Sequence, residues 1–236
     1  MIEPINTTRS PDVEGRSKKI WLSTDRTSCL VELIPSLTSF TYQRHELFPR
    51  TAKLRLDFFE AAAHQMNSNG ITSVFRRRLG ETRYEATWCE GLPFETIVKN
   101  FAVGSTVRKY PGLFEEGSRL PRPVVKFDYR VDPEDQPIGE GYLRVLDAPY
   151  LEWERKALAL NEILQGWLNP YVLQDFCVIF GATKDGEQVI TSEVSPDCMR
   201  LKNATGESVD KDLFREGAGE DEIVAAWSDL LDGMRR

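Results

Sequence analysis

VLQDFCVIFGATKDGEQVITSEVSPDCMR, residues 172–200, contains two β-rich runs joined by the turn Lys184-Asp185-Gly186. Such runs around a short polar turn predict a pair of β-strands. Apolar side chains recur at helical spacing over 151–168, before this pair, and again over 220–235, after it. We therefore predict a strand pair that is flanked by two helices in the chain.

The upstream half of the chain is also rich in strand-like runs. A hairpin is predicted around Asp25–Ser28, a helix over 51–68 that stops at Asn69-Gly70, and strand-like runs over 73–79, 83–90 and 94–103. We predict a long ordered loop over 110–136, with one strand at 124–130, because this segment is rich in Pro, Gly and charge. This order of elements predicts an α+β fold rather than a regular βαβ alternation.

Length and composition limit the class of protein. The chain has 236 residues, of which 41% are hydrophobic and 28% charged, which is typical of one globular domain or two small joined ones. The net charge of −7 argues against nucleic acid or an anionic membrane as partner. No apolar run approaches the length of a membrane span, so a cytoplasmic protein is expected. Residues 1–14 are polar and predicted to form a flexible arm.

Cysteine and histidine usage argues against a metal site. The four cysteines lack CxxC spacing, and the chain has only two histidines. One of these, His45, lies in a polar stretch typical of an exposed residue, and catalysis is the weaker interpretation.

Two segments could bind an anion. Gly15-Arg16-Ser17-Lys18-Lys19 combines a glycine with basic side chains, although a solvated basic turn has the same pattern. Near the end of the run 94–103, Lys99 supplies charge, and Gly104-Ser105 offers backbone N–H groups and a hydroxyl. Ser105 could equally be a helix N-cap.

A third segment gathers acids and bases after a strand. Glu193 and Asp197 lie on either side of Ser195-Pro196, and Arg200 follows closely. Lys211 and Arg215 stand four residues apart, so they share one helix face. This mixture suits a phosphorylated ligand, because arginine matches phosphate geometry. A surface ion-pair network is the alternative.

These blocks resemble the SAICAR synthetase family. The resemblance rests on LPFETIVKN…GS, DFCVIFG, SEVSPDCMR and DKDLFR, occurs in the family's order, and covers about residues 14–235. It implies a small kinase-like N-terminal lobe over 15–92 and a larger ATP-grasp-like domain over 93–236, with the active site in the cleft between them. The family joins aspartate to a carboxylated aminoimidazole ribonucleotide with ATP and magnesium.

The ATP side departs from the family pattern. Where the family has a lysine and two metal-binding acids, this chain has Cys177, Ile179 and Ser192. Magnesium requires hard oxygen ligands, which isoleucine lacks. We therefore predict a degenerate ATP site without a metal, in which Arg16, Lys18 and Arg130 still supply positive charge.

The substrate side keeps its pattern. The resemblance places Lys99, Ser105, Arg200, Lys211 and Arg215 around a ribonucleotide. The proposed acid and base are Glu193 and Asp197, with His45 and Cys177 as weaker candidates.

Three functions follow. The first is ATP-independent, ring-forming chemistry on a phosphoribosyl imidazole or purine-derived nucleotide, as in pathways to pentostatin- and coformycin-type nucleoside antibiotics, with no cofactor expected. The second is the family's own ATP-dependent amide ligation, with Mg-ATP as cofactor and with Glu193 or Asp175 as replacement ligands. The third is non-catalytic nucleotide binding. The expected partner is a small ribonucleotide, and self-association to a homo-oligomer is possible.

Overall fold

The computed structural model describes residues 5–132 and 134–234. The strands are β1 (Val13–Glu14), β2 (Lys18–Leu22), β3 (Ser28–Leu33), β4 (Ser36–Ser39), β5 (Arg44–Leu47), β6 (Phe75–Arg78), β7 (Arg83–Thr87), β8 (Glu90–Gly91), β9 (Phe94–Phe101), β10 (Arg119–Tyr129), β11 (Gln136–Ile138), β12 (Val172–Val178), β13 (Phe180–Ala182), β14 (Gln188–Ile190) and β15 (Met199–Lys202). The helices are α1 (Thr51–Ser68), α2 (Ser105–Lys109), α3 (Glu140–Val145), α4 (Tyr150–Trp167), α5 (Lys211–Arg215) and α6 (Glu220–Met234), and a 3₁₀ turn spans Pro196–Cys198.

Two five-stranded antiparallel sheets form the frame. The first has the order β1-β2-β3-β7-β6, and the second has the order β11-β10-β9-β12-β15. Smaller pairings join β14-β13-β8 and β4-β5. Helices pack against these antiparallel sheets without forming βαβ units, so the predicted α+β class is confirmed.

One hydrophobic core spans both sheets. It includes Phe59 and Met66 of α1 together with Leu160 and Leu164 of α4, all fully buried. The second sheet adds Val98 to the same core. Because α4 covers one face of this sheet, the opposite face, which carries Lys99 and Asp175, remains available to line a cleft.

The strand predicted at 124–130 within the loop 110–136 is confirmed, but the loop itself is shorter than predicted. The segment contains the eleven-residue strand β10, which pairs with β9, and the start of β11. Pro121 and Pro123 made the segment look irregular. The strand accommodates them because its register with β9 shifts between Arg119 and Val124, where no regular ladder needs their missing N–H groups.

The strand pair predicted over 172–194 also needs correction. Only β13 and β14 form the hairpin around Lys184–Gly186. The preceding run, β12, instead lies between β9 and β15 in the second sheet. Sequence periodicity predicts that a segment is an extended strand, but it does not predict with which other strand this strand pairs.

The described part of the predicted arm contacts the first sheet. Val13–Glu14 pairs with β2, and the indole Nε1 of Trp21 donates to the carbonyl of Arg9 at 2.9 Å. Residues 1–4 lie outside the described residues, and the boundaries 15–92 and 93–236 stay predictions. Over 5–132 and 134–234, no helix combines the length and hydrophobicity that a membrane span requires.

Candidate functional site

Three neighbouring cavities form a cleft. We call them the apolar cavity, of about 290 Å³, the bridging cavity, of about 390 Å³, and the charged cavity, of about 240 Å³. Pro93 and Arg130 line both the apolar and the bridging cavities. Phe40, Glu95 and Asp135 line both the bridging and the charged cavities. The shared walls make the cleft continuous.

The floor of the charged cavity is built on a buried ion-pair network. The register of β9, β12 and β15 sets Asp175 beside both Lys99 and Arg200. The Lys99 ammonium donates to Asp175 Oδ2 at 2.7 Å, and Arg200 Nη1 donates to the same oxygen at 2.6 Å. Arg200 Nε donates to Asp212 Oδ2 at 2.8 Å. The predicted alternative of an ion-pair network is partly present, because Arg200 and Arg215 both pair with Asp212 at partly exposed positions. Asp175, which that alternative did not include, is only 2% exposed.

This network shifts the ionisation of its members. Burial by itself would raise the pKa of Asp175, but the charges of Arg200 and Lys99 hold that pKa well below its usual range. Burial also lowers the pKa of Lys99, which Asp175 partly offsets. Asp175 therefore remains an anion over the physiological pH range and fixes two cations at the cavity wall.

Ser105 and Gly104 approach this network from the end of β9. Gly104 is the residue before α2, so the predicted alternative of Ser105 as N-cap is wrong. Gly104 has φ +59°, and a Cβ built there would lie 2.7 Å from Arg200 Nη2. The absence of a side chain lets the guanidinium pack against the backbone, beside the Ser105 side chain that lines the same cavity.

Helix α5 carries Lys211 and Arg215 to the charged cavity. Asp210 caps this helix by accepting from the Asp212 amide at 2.6 Å. Arg215 Nη1 donates to Asp212 Oδ1 at 2.7 Å. The predicted i, i+4 arrangement thus places both cations on one cavity, with Arg200 and Lys99.

Glu193 is buried against a cation from α1. Arg55, itself 1% exposed, donates from Nε to Glu193 Oε1 at 2.6 Å, and Ser195 Oγ donates to the same oxygen at 3.2 Å. Asp197, on the 3₁₀ turn, has a pKa raised by burial, which Arg55 opposes. Lys211 also acts on Asp197, so this acid lies within electrostatic range of the charged cavity.

The apolar cavity brings together four residues of the predicted ATP side, of which Arg130 also lines the bridging cavity. Lys18, Ile179 and Ser192 line it, together with Thr87 and Trp88. Ser192 Oγ accepts from the Ile179 amide at 2.9 Å. Burial lowers the pKa of Lys18, and Glu193 opposes this effect.

The other two residues of the predicted ATP side, Arg16 and Cys177, line the other two cavities. Arg16 lines the bridging cavity, where it pairs with Asp132 at 3.1 Å and stacks 4.4 Å from the Phe40 ring centre. Cys177 lies in the charged cavity, and burial raises the pKa of its thiol.

His45 lies exposed on β5, where its Nδ1 is 2.8 Å from Thr38 Oγ1. Thr38 lines the charged cavity, and the imidazole of His45 contacts Thr38 without lining the cavity itself. A catalytic role for His45 stays a prediction.

Sequence reasoning missed several charged groups at the cleft. Arg55, Glu95, Asp128 and Asp135 all contact or line the site. The first three are charges next to apolar residues: Arg55 lies between Leu54 and Leu56, Asp128 between Phe127 and Tyr129, and Glu95 follows Phe94. A charge in such a position costs free energy unless it is paired or functional, and this signal could have found them.

An α+β chain with a cleft that is lined by both sheets and by a cluster of cations has the architecture of a nucleotide-binding enzyme. The profile of the SAICAR synthetase family matches residues 12–230. This chain therefore belongs to the SAICAR synthetase family, a family of ligases.

Individual relatives agree with this assignment. The chain is 32% identical to the phosphoribosylaminoimidazole-succinocarboxamide synthase of Shouchella clausii, with 94% of each chain covered. It is 30% identical to that of Lactococcus lactis, with 93% of this chain and 94% of the relative covered.

Solved structures show the same fold. A type-2 SAICAR synthetase in complex with ADP has a TM-score of 0.86 and 28% identity, with 94% of this chain and 97% of that chain covered. The SAICAR synthetase of Pyrococcus horikoshii has a TM-score of 0.83 and 28% identity, with 92% and 98% covered.

Proposed function

We propose that this chain binds a phosphorylated ribonucleotide with an imidazole or purine-derived base and acts on it without Mg-ATP. The observation that carries the proposal is the convergence of Ser105 with four cations from three elements, β9, β15 and α5, on one cavity. The cations are Lys99, Arg200, Lys211 and Arg215. Basic side chains and a hydroxyl around a cavity suit a phosphate monoester, because charge-assisted hydrogen bonds favour the dianion.

The apolar cavity does not fit the magnesium of a bound triphosphate. Among its lining residues in the described chain there is no carboxylate, and Ile179 contributes only hydrocarbon. Ser192 contributes a neutral hydroxyl that already accepts an amide hydrogen bond. Magnesium is held in nucleotide sites by carboxylate and phosphate oxygens, so this wall offers too few ligands.

The alternative, ATP-dependent amide ligation, would need replacement ligands. The two acids that could serve, Asp175 and Glu193, are tied to Lys99, Arg200 and Arg55. Moving either acid onto a metal would leave a buried cation unpaired, which costs about 3–5 kcal/mol. The relatives' names support this alternative, but the donor set of this chain argues against it.

The chemistry left to the chain is proton transfer. Burial raises the pKa of Asp197, which favours its protonated form compared with an exposed aspartate and suits a proton donor. Glu193, oriented by Arg55 and Ser195, is the second acid–base candidate. The finer proposal is ring-forming remodelling of a purine-derived nucleotide, as in nucleoside-antibiotic pathways. The lack of a carboxylate among the described residues that line the apolar cavity supports it. Glu193 and Asp197 do not line any of the three cavities, and Asp197 is linked to the charged cavity through the charge of Lys211.

Calorimetric titration tests the proposal. We expect aminoimidazole carboxamide ribonucleotide to bind and Mg-ATP not to bind. The Ser105→Ala variant should weaken ribonucleotide binding by about 1–3 kcal/mol, the scale of a hydrogen bond to a charged group. Ser68→Ala, at an exposed position at the end of α1, should have no effect.

Two results would contradict the proposal. Micromolar binding of Mg-ATP to the unmodified chain would make the ligase the leading function. Unchanged ribonucleotide affinity in the Ser105→Ala variant would remove the charged cavity as the phosphate site.

A further inference from the structure

The apolar cavity carries positive charge without a counter-charge. Among the described residues that line it there are two cations, Lys18 and Arg130, and no carboxylate. The first sheet supplies one wall through alternate residues of three strands, as expected for side chains on one face of a sheet. These residues are Lys18 and Ile20 of β2, Cys29 and Val31 of β3, and Tyr84 and Ala86 of β7. Lys18 therefore lies on a largely apolar surface inside the cleft.

The amino group of Lys18 has no partner. It makes no hydrogen bond and no ion pair with any residue that the structure describes. The next residue, Lys19, faces the other side of β2, and its Nζ lies 3.1 Å from Glu14 Oε1. Charge in an apolar cavity costs free energy unless it is paired, so the position of Lys18 favours the neutral amine over the ammonium.

The charges around Lys18 act mainly in the same direction. Burial lowers the pKa of Lys18, and the cations Arg55 and Arg130 lower it further. Glu193 opposes them, but this carboxylate accepts a hydrogen bond from Arg55 Nε at 2.6 Å. Cys29 also opposes them, but burial raises the pKa of its own thiol to about 12, so the thiol is uncharged at neutral pH. Compared with an exposed lysine, Lys18 is more often the free amine, which is the form that attacks a carbonyl carbon.

A hydroxyl in the same cavity also lacks a partner. Tyr84 lines the cavity and is 1% exposed, and its hydroxyl makes no hydrogen bond within the described chain. The charge of Glu193 acts on both Tyr84 and Lys18, so the two polar groups lie in one region of the cavity. Burial raises the pKa of Tyr84, so its hydroxyl keeps its proton and is a hydrogen-bond donor. An amine and a hydroxyl without partners suit a ligand that has an electrophilic carbon beside an acceptor oxygen.

We propose that Lys18 forms an imine with an aldehyde of apolar body that enters the apolar cavity, and that the Tyr84 hydroxyl donates a hydrogen bond to the carbonyl oxygen. The amine nitrogen attacks the carbonyl carbon to form a C–N bond. Both amine hydrogens then leave with the carbonyl oxygen as water when the C=N bond forms, so the step requires no oxidant or reductant. The site is separate from the charged cavity and does not rest on the proposed ribonucleotide.

Reductive trapping tests the proposal. The unmodified chain is treated at neutral pH with benzaldehyde and sodium cyanoborohydride, which reduces an imine to a stable N-benzyl amine, and tandem mass spectrometry locates the adduct. Lys19 is the internal control, because it is adjacent in sequence and faces away from the cavity. We expect Lys18 to be labelled at least tenfold faster than Lys19 in the folded chain. In concentrated urea, where burial is lost, we expect the two lysines to be labelled at equal rates.

Equal labelling of Lys18 and Lys19 in the folded chain, or no labelling of Lys18, would overturn the proposal and leave the ribonucleotide proposal standing. The Tyr84→Phe variant keeps the ring that packs against Phe59 and Phe75 and removes only the hydroxyl. It should slow the labelling of Lys18 at least threefold and leave that of Lys19 unchanged. An unchanged rate at Lys18 would remove Tyr84 from the site. If this variant does not fold, the comparison of the two lysines in the unmodified chain still decides whether Lys18 is the reactive amine.

Discussion

At the scale of single residues, Gly104 controls the basic end of the cleft. Its φ of +59° is rarely adopted by residues with a side chain, and the Arg200 guanidinium occupies the space that a Cβ would need. Arg200 cannot simply swing away, since Asp175 and Asp212 both hold it. One missing methyl group thus keeps Arg200 beside Ser105.

We expect Gly104→Ala to lower both folding stability and ligand affinity. The strained backbone alone costs about 1–3 kcal/mol, and displacement of Arg200 should weaken ribose 5-phosphate at least tenfold. Gly112→Ala is the matched control, because Gly112 has φ +81° with no atom within 4 Å of the added Cβ. Urea unfolding and titration calorimetry separate the effects. Equal ligand affinity in the two variants would contradict the role of Arg200.

At the scale of elements, the short helix α5 positions two of the cations. Its cap, Asp210, is 1% exposed and accepts from the amides of Asp212 and Leu201. Burial raises the pKa of Asp210 to about 7. The Asp210 carboxyl group, which caps α5, therefore changes charge near neutral pH.

Because Asp210 titrates near neutral pH, we predict that the folding stability of the chain depends on pH. Because the pKa of Asp210 is higher in the folded than in the unfolded chain, the folded chain binds more protons between about pH 4 and 7, and stability falls as pH rises through that window. From about pH 5 to pH 8 the loss from this group is about 2–3 kcal/mol. Asp210→Asn should remove this part of the pH dependence. Urea unfolding at both pH values measures it, and parallel pH profiles would exclude Asp210 as the cause.

The helices could be predicted from the sequence more accurately than the strands. Helices α1, α4 and α6 agree with their predicted ranges within one residue, because their apolar spacing and termini are local properties. Strand β10 was predicted only from residue 124 onward, since the prolines in its first half are tolerated only where the register with β9 shifts. Strand β12 was predicted as extended, but its partners β9 and β15 come from distant parts of the chain.

At the scale of the whole molecule, the apolar cavity and the charged cavity of the cleft are lined by different kinds of side chain. The apolar cavity contains Ile179 and Ser192 where the family resemblance implies metal-binding acids, and the charged cavity keeps its cations. One core spans both sheets, so the two cavities keep a defined relation to each other.

Two carboxylates introduced at positions 179 and 192 should increase the affinity for Mg-ATP. In the double variant Ile179→Glu with Ser192→Asp, two carboxylates would line the apolar cavity and supply the oxygens that magnesium requires. We expect Mg-ATP affinity to rise at least tenfold, with ribonucleotide affinity unchanged. Titration with Mg-ATP and with ATP in a chelator measures the metal-dependent part. Equal Mg-ATP binding by the variant and the unmodified chain would contradict this account.

The sequence by itself determined the α+β class, the family, the long helices and the residues that could bind a phosphate. These properties depend on local periodicity and on motifs whose residues are close together in the sequence. Only the tertiary structure decided that Asp175 holds Lys99 and Arg200 together and that Arg55 orients Glu193. Such pairings join residues far apart in sequence, and their ionisation depends on burial, which exists only once the sheets and helices have packed.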